Sequence, residues 1–136
     1  MLTRRTSGSA SAWDGCDVLN LFRFTGTPPE TVVADSADLT LKDLGVDAPI
    51  TYRMTMPAGL RIVAIRSRGT AVIGPRRLWG QVTNFLVTTT GDSALIEHTI
   101  LIDAEARARL AQDITQLGDS VRKALLASLH NAQNTS

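Results

Sequence analysis

The side chains best suited to chemistry lie on two predicted strands. The segment "SALIEHTILID", Ser93 to Asp103, holds one of the two histidines of the chain, His98, between isoleucines. Imidazole titrates near neutral pH, so His98 can serve as a general acid or base. The segment "ITYRMTMP" holds the single tyrosine, Tyr52, whose hydroxyl can donate a hydrogen bond to a carbonyl or phenol. We therefore take His98 and Tyr52 as candidate catalytic residues, with a structural role for His98 as the alternative.

Strand alternation predicts which residues share a face with these two side chains. Successive side chains of a strand point to opposite faces, so His98 shares its face with Ile96 and Ile100. The same parity defines one face of the partner strand and one face of the strand that carries Tyr52. The predicted ligand-binding residues are Trp79, Gln81, Thr83, Phe85, Met54, Ile96 and Ile100, with Leu117 and Val121 from the C-terminal helix. An apolar surface with a few polar groups is typical of a small-molecule site.

Charge and cysteine content argue against several other functions. The chain has 136 residues, with 14 basic and 13 acidic ones and a net charge of +1, which gives no electrostatic case for a nucleic-acid partner. Cys16 is the single cysteine, so neither an intrachain disulfide nor a multi-cysteine metal site is expected. We predict no metal and no cofactor. No apolar run approaches the ~20 residues of a membrane span, and no secretory signal is recognisable, so we expect a cytoplasmic protein.

Three arginines leave two interpretations open. Arg53, Arg66 and Arg68 can reach a ligand carboxylate if their strands turn them toward a pocket. Exposed and edge positions are commoner for arginine, and short basic groups such as "RSR" usually lie in solvent. We therefore expect these arginines at the surface.

The pattern of segments predicts one α+β domain over residues 16–130, after a flexible leader (1–15) and before a polar tail (131–136). A strand over Cys16–Gly26 leads into a short helix, for which Thr27 and Glu30 form a capping box. Extended segments follow from Ile50, with one strand ending at Gly69 and a short one broken at Gly74-Pro75. A hairpin around Gly91 comes next.

The last element is a long amphipathic helix. Apolar residues recur there at helical spacing, and Asp103 can cap its first turn. The stripe consists of Leu110, Ile114, Leu117, Val121, Leu125 and Leu129. The fold class that we predict is a curved antiparallel sheet wrapped on this C-terminal helix.

This order of elements resembles the helix-grip fold of the START and polyketide-cyclase (SRPBCC) superfamily. The stretch "FRFTGTPPETVVADSADL" is similar to the opening of that family, where a strand leads into a proline-containing helix start. The stretch "GPRRLWGQVTNFLVTTTGDSALIEHTILID" resembles its late hairpin, and the segment after it resembles its terminal helix. The chain departs from the family in a shorter segment between Leu39 and Ile50. The resemblance implies a cavity between sheet and helix, and it carries over no catalytic residue.

Three functions remain open from the sequence. The first is binding of a small hydrophobic molecule, of the lipid, steroid or aromatic polyketide type, between the sheet and the C-terminal helix. The second is a cyclase or aromatase, which needs His98 and Tyr52 to act on a common substrate. The third is a protein-interaction module, for example a homodimer, whose uncovered apolar surface pairs with another chain.

Overall fold

The computed structural model of the chain describes residues 15–107 and 109–135, the last seven by their backbone alone. Its elements are β1 (Gly15–Thr25), α1 (Glu30–Asp43), β2 (Ile50–Met54), β3 (Ile62–Ile73), β4 (Arg76–Thr88), β5 (Asp92–Asp103) and α2 (Ala111–Thr135). A first compact unit ends at Glu105, and a second begins at Ala106. The predicted leader lies outside the described residues except for Gly15, which opens β1. Residues 131–135 of the predicted tail belong to α2.

The first unit contains a five-stranded sheet in the order β1-β5-β4-β3-β2. Every neighbouring pair is antiparallel, and β1 and β2 form the two edges of a sheet that does not close. α1 packs against one face of this sheet. The antiparallel sheet and the long helix that follows it in the chain confirm the predicted α+β class.

The segment before Gly74 forms one strand, where the sequence pattern predicts two. β3 continues without a break through Gly69 and ends at Ile73, and Gly74, with φ +60°, turns the chain into β4. A Cβ atom on Gly69 would overlap the Cγ1 atom of Val46, so the bare backbone makes room for that side chain. The glycine therefore marks a close packing contact and does not end the strand.

α1 differs from the prediction at its start and in its length. The prediction of a capping box at Thr27 is wrong, because Pro29 stands at the N-cap with an extended ψ of 149° and no side chain caps the helix. Residues that precede a proline avoid the helical region, which keeps Thr27 and Pro28 out of the helix. The helix is also not short. Its 14 residues bury Val33, Ala37 and Leu41, whose spacing of four keeps one apolar side on the sheet.

α2, in the second unit, has 25 residues but begins later than predicted. Asp103 does not cap it. Its Oδ1 accepts the backbone N–H of Glu105 at 2.9 Å, and its Oδ2 lies 3.2 Å from Nη2 of Arg76, so the carboxylate stabilises a turn at the end of β5. The half-buried positions of α2 include Leu117 and Val121, which lie on the predicted apolar stripe.

The core of the first unit lies between α1 and the sheet. The buried side chains form two clusters, which are Ala37, Leu41, Val46, Ala71 and Val82 in one and Val33, Ile65, Leu86 and Leu95 in the other. Between them, Nδ2 of the fully buried Asn84 donates to the backbone oxygen of Val33 at 3.2 Å. This bond fixes α1 to the central strand, because it pairs a buried donor that has no access to water.

We expect Gly69→Ala to destabilise the first unit by about 1–3 kcal/mol, since the new methyl group must displace the buried Val46. Urea unfolding measures this change. In the Val46→Ala background the same substitution should be better tolerated by at least ~0.5 kcal/mol, because the overlapping atom is gone. Equal costs in both backgrounds would contradict the packing role assigned to Gly69.

Candidate functional site

The two faces of the sheet differ in what they carry. Residues that pair directly across strands share a face. The face that packs on α1 is called the α1 face and includes Ile65, Val82 and Leu95. The opposite one, the reverse face, carries the side chains of alternate parity, among them His98 and Thr83, which pair across β5 and β4.

Polar side chains on the reverse face form a band across the sheet. Two adjacent cross-strand rows supply it. The first row is Tyr52, Arg66, Thr83, His98 and Leu19, and the second is Ile50, Arg68, Gln81, Ile100 and Asp17. The polar band is defined as the seven polar members of these rows: Tyr52, Arg66, Thr83, His98, Arg68, Gln81 and Asp17. It runs from one edge strand to the other.

Apolar rows border the polar band on both sides. One consists of Met54, Ala64, Phe85, Ile96 and Leu21, and the other consists of Trp79, Ile102 and Gly15, with the exposed Thr70 at its β3 end. Trp79, Phe85 and Ile102 are buried. The reverse face is therefore apolar, with polar groups concentrated across its middle.

The most buried polar contact of the band joins β5 to β1. His98 is 2% exposed, and its Nε2 lies 3.2 Å from Oδ2 of Asp17, which is also buried. Burial lowers the pKa of His98 below its usual 6.5, while the hydrogen bond and charge of Asp17 oppose that shift and the charge of Arg66 adds to it. A neutral imidazole donates Nε2–H to the carboxylate, which leaves the lone pair on Nδ1.

The arginines of the band are not free at the surface, so the expectation of exposed positions is wrong for Arg66 and Arg68. Both are half-buried, because β3 is an interior strand of the sheet. Nε of Arg66 donates to Oγ1 of Thr83 at 2.9 Å. The guanidinium carbon of Arg68 lies 5.5 Å from the ring centroid of Tyr52, and its Nε is buried without a hydrogen-bond partner.

The predicted ligand residues of the sheet lie on the reverse face. Five of them, together with His98, are buried: Trp79, Gln81, Thr83, Phe85 and Ile100. Tyr52 is 37% exposed on the edge strand β2. Tyr52 and His98 stand in one row but three strand spacings apart, about 14 Å between their backbones. Leu117 and Val121 belong to the second unit, and their part in binding stays a prediction.

Sequence reasoning missed Asp17, and it favoured the surface for Arg66 and Arg68 although it raised a ligand contact for both. Alternation along "RIVAIRSR" places Arg66 and Arg68 on the same face as the buried Ala64, a signal that was present in the sequence. Asp17 gave no such signal, because its contact with His98 spans 81 residues of chain.

Two cavities lie beside the edge strand β2. One, of about 390 Å³, is bordered by α1 and includes Tyr52 in its lining. The other, of about 410 Å³, lies along the loop after β2 and includes Met54 and Met56. The first cavity lies on the α1 face, since Ile65 and Arg53 line it, and so it is on the opposite side of the sheet from the polar band.

A second buried acid lies on the α1 face. Glu97 accepts from Nδ2 of Asn20 at 3.5 Å and from Oγ1 of Thr40 at 3.3 Å. Strand β1 is thus tied to β5 by polar contacts on both faces. Further along β1, Leu21, Phe22 and Phe24 are 40–48% exposed.

Within residues 15–107 and 109–135, no group of three or more metal-ligating side chains comes together. Cys16 is half-buried on β1. Among the described residues, neither helix combines the length and apolar character needed to cross a membrane.

The fold defines an open antiparallel α+β sheet domain with a polar band on one face. No protein-family model matches the sequence, and no curated protein matches it. Among solved structures, the chain is similar to LpqN of Mycobacterium tuberculosis, described as involved in cell envelope biogenesis. The TM-score is 0.61 at 15% identity, over 75% of this chain and 59% of LpqN. This likeness shows the fold, which is also compatible with a helix-grip arrangement of elements.

The buried His98 should make stability fall as the pH drops. Its pKa in the folded chain lies below the unfolded value of 6.5, so the unfolded state binds more protons between those two values. We expect the free energy of unfolding to decrease as the pH falls through 6.5. Chemical denaturation at about pH 7.5 and about pH 5.5 measures this loss.

His98→Gln is the matched control, since its amide can still donate to Asp17 but does not titrate. The variant should lose less stability than the wild type over the same interval. An identical loss in both proteins would show that other groups cause it.

Proposed function

We propose that the chain binds a small, largely apolar molecule of the lipid, steroid or aromatic polyketide type on the reverse face. One observation carries the proposal: a polar band, four of whose seven members are buried, crosses a largely apolar sheet face. Burying polar groups there costs free energy unless they serve each other or a ligand. Apolar rows beside the band supply contact area, and the band supplies hydrogen bonds that orient a molecule.

The resemblance to the SRPBCC superfamily supports the same function. The order of elements agrees with a helix-grip domain, and membership of that superfamily is part of the proposal. LpqN is described as involved in cell envelope biogenesis, so a likeness to it does not favour the cytoplasm, and the cytoplasmic location stays a prediction. The predicted homodimer likewise stays a prediction.

Binding of an uncharged probe tests the proposal directly. We expect 1-octanol to bind to the chain, measured by calorimetric titration, and Ile96→Ser on the reverse face to weaken binding about tenfold. Ile96 is half-buried beside the band, and the substitution removes apolar contact area.

Val18→Ser is the matched control, because Val18 is half-buried on the α1 face. It should leave octanol affinity unchanged. Equal losses in the two variants, or no binding to the wild type, would contradict a site on the reverse face.

We also propose a second candidate, acid–base cyclisation of a poly-β-keto substrate, because Asp17 and His98 form a buried pair. With Nε2 donating to Asp17, Nδ1 of His98 can remove a proton from a carbon between two carbonyls. The resulting enolate attacks a further carbonyl of the same substrate and closes a ring, the imidazolium returns the proton to the alkoxide that forms, and loss of water from the ring gives the aromatic product. Tyr52, about 14 Å along the row, would contact another part of an extended substrate.

Turnover of a poly-β-keto thioester, followed by the absorbance of the aromatic product, tests this second function. His98→Gln should reduce turnover at least about 100-fold, the usual contribution of a general base. Asp17→Asn should reduce it less and shift its pH profile, since the carboxylate raises the pKa of His98. Full turnover in His98→Gln would exclude His98 as the base.

A further inference from the structure

The polar band holds more positive than negative charge. Arg66 and Arg68 contribute two guanidinium groups, and Asp17 contributes one carboxylate, which is already bonded to His98. Within the described part of the chain, neither arginine forms an ion pair with a carboxylate. One positive charge of the band is thus left without a counter-charge among those residues.

The two arginines differ in how their donors are used. Nε of Arg66 is bonded to Oγ1 of the neighbouring Thr83. Nε of Arg68 is buried and makes no hydrogen bond. A buried donor on a charged group costs free energy when it is left unpaired, and that cost is recovered when an acceptor arrives.

The surroundings of Arg68 restrict what that acceptor can be. The Tyr52 ring lies beside the guanidinium, and Gln81 is its direct cross-strand neighbour. The apolar row that contains Trp79 and Ile102 is the next row along the sheet from the row of Arg68. A molecule that reaches Arg68 therefore has one anionic end and an apolar body.

We infer that the ligand of the reverse face is an amphipathic carboxylic acid whose carboxylate is bound by Arg68, with Arg66 beside it. This inference rests on the proposed function. A planar carboxylate matches the fork of a guanidinium and can accept two parallel N–H bonds. Its single negative charge equals the excess of the band, whereas a phosphate monoester carries about −1.5 to −2 at pH 7 and would overcompensate it.

Four eight-carbon ligands that differ only in their head group separate the alternatives. Calorimetric titration at low salt compares octanoate, 1-octanol, octyl phosphate and octylamine on the full chain. We expect octanoate to bind about tenfold or more tightly than octanol, octyl phosphate to bind more weakly than octanoate, and octylamine to bind weakest.

The relative affinities of the four ligands test the carboxylate inference and the proposed function separately. Equal affinities of octanoate and octanol would leave the proposed apolar site standing and overturn the carboxylate inference. Tightest binding of octyl phosphate would overturn the inference in favour of a phosphorylated ligand. Binding of none of the four would contradict the proposed function itself.

Arg68→Met tests whether Arg68 is the residue that binds the carboxylate. It should abolish the preference of octanoate over octanol, measured as the ratio of the two affinities in the same variant. Arg23→Met is the matched control, because Arg23 is an exposed arginine on the reverse face outside the band. Arg23→Met should keep the full preference for octanoate over octanol.

Arg68→Lys should restore part of the preference, since the charge remains and the fork is lost. A preference that survives in Arg68→Met would overturn the role of Arg68. If Arg68→Met does not fold, the ranking of the four ligands by the wild type decides the inference.

Discussion

The cross-strand register of β4 is the constraint on which the rest of this structure depends. β4 is the central strand, and its residues from Trp79 to Val87 are buried. One of its faces holds Val82 and Leu86 in the core under α1, and the other holds Gln81, Thr83 and Phe85. A shift by one residue would place polar groups in the α1 core and apolar ones in the polar band. The alternation of β4 therefore fixes the α1 core and the candidate site together.

Close packing on the α1 face reinforces this register. A Cβ atom on Gly80 would come within 2.9 Å of Cδ2 of Leu41, so the helix sits closely over β4 only where the strand has no side chain. Gly69, opposite Gly80 on β3, makes the corresponding room for Val46. The two glycines and the Asn84 bond to α1 hold the helix at one position along the sheet. The loops after β1 and α1 are thereby also fixed.

Much of this organisation could be predicted from sequence, because strand periodicity is a local property. Alternation placed His98, Thr83 and Phe85 on one face, and the register agrees. Local signals failed where tertiary contacts dominate. The sequence pattern predicts a strand end at Gly69, whereas the contact of Gly69 with Val46 explains the glycine inside a continuous strand. The pattern also predicts a helix cap at Thr27, whereas Pro28 and Pro29 keep Thr27 outside the helix. Asp17 lies 81 residues from His98, a contact that a single sequence does not reveal.

The arginines illustrate the same limit at the candidate site. Their type favours the surface, whereas their strand parity favours the buried face, and the position of β3 inside the sheet decided between the two. Once on that face, their charge gives the band its character. The described residues of the band supply one carboxylate, that of Asp17, against the two guanidinium groups of Arg66 and Arg68. His98 is already bonded to that carboxylate. The chemistry of the band thus depends on topology as much as on residue type.

The pairing of β1 has a consequence for how the chain is made. Of the five strands of the sheet, β1 leaves a ribosome first, but its partner β5 leaves last, with Gly15 opposite Ile102. The strands from β2 to β5 can pair as successive hairpins. β1 pairs only with β5, so its pairing comes after β5 has been made and closes a long loop at an entropic cost. During that interval Phe22 and Phe24 have no strand beside them. Nascent chains of this protein are therefore most exposed to misassociation, and to capture by chaperones, before β5 has emerged.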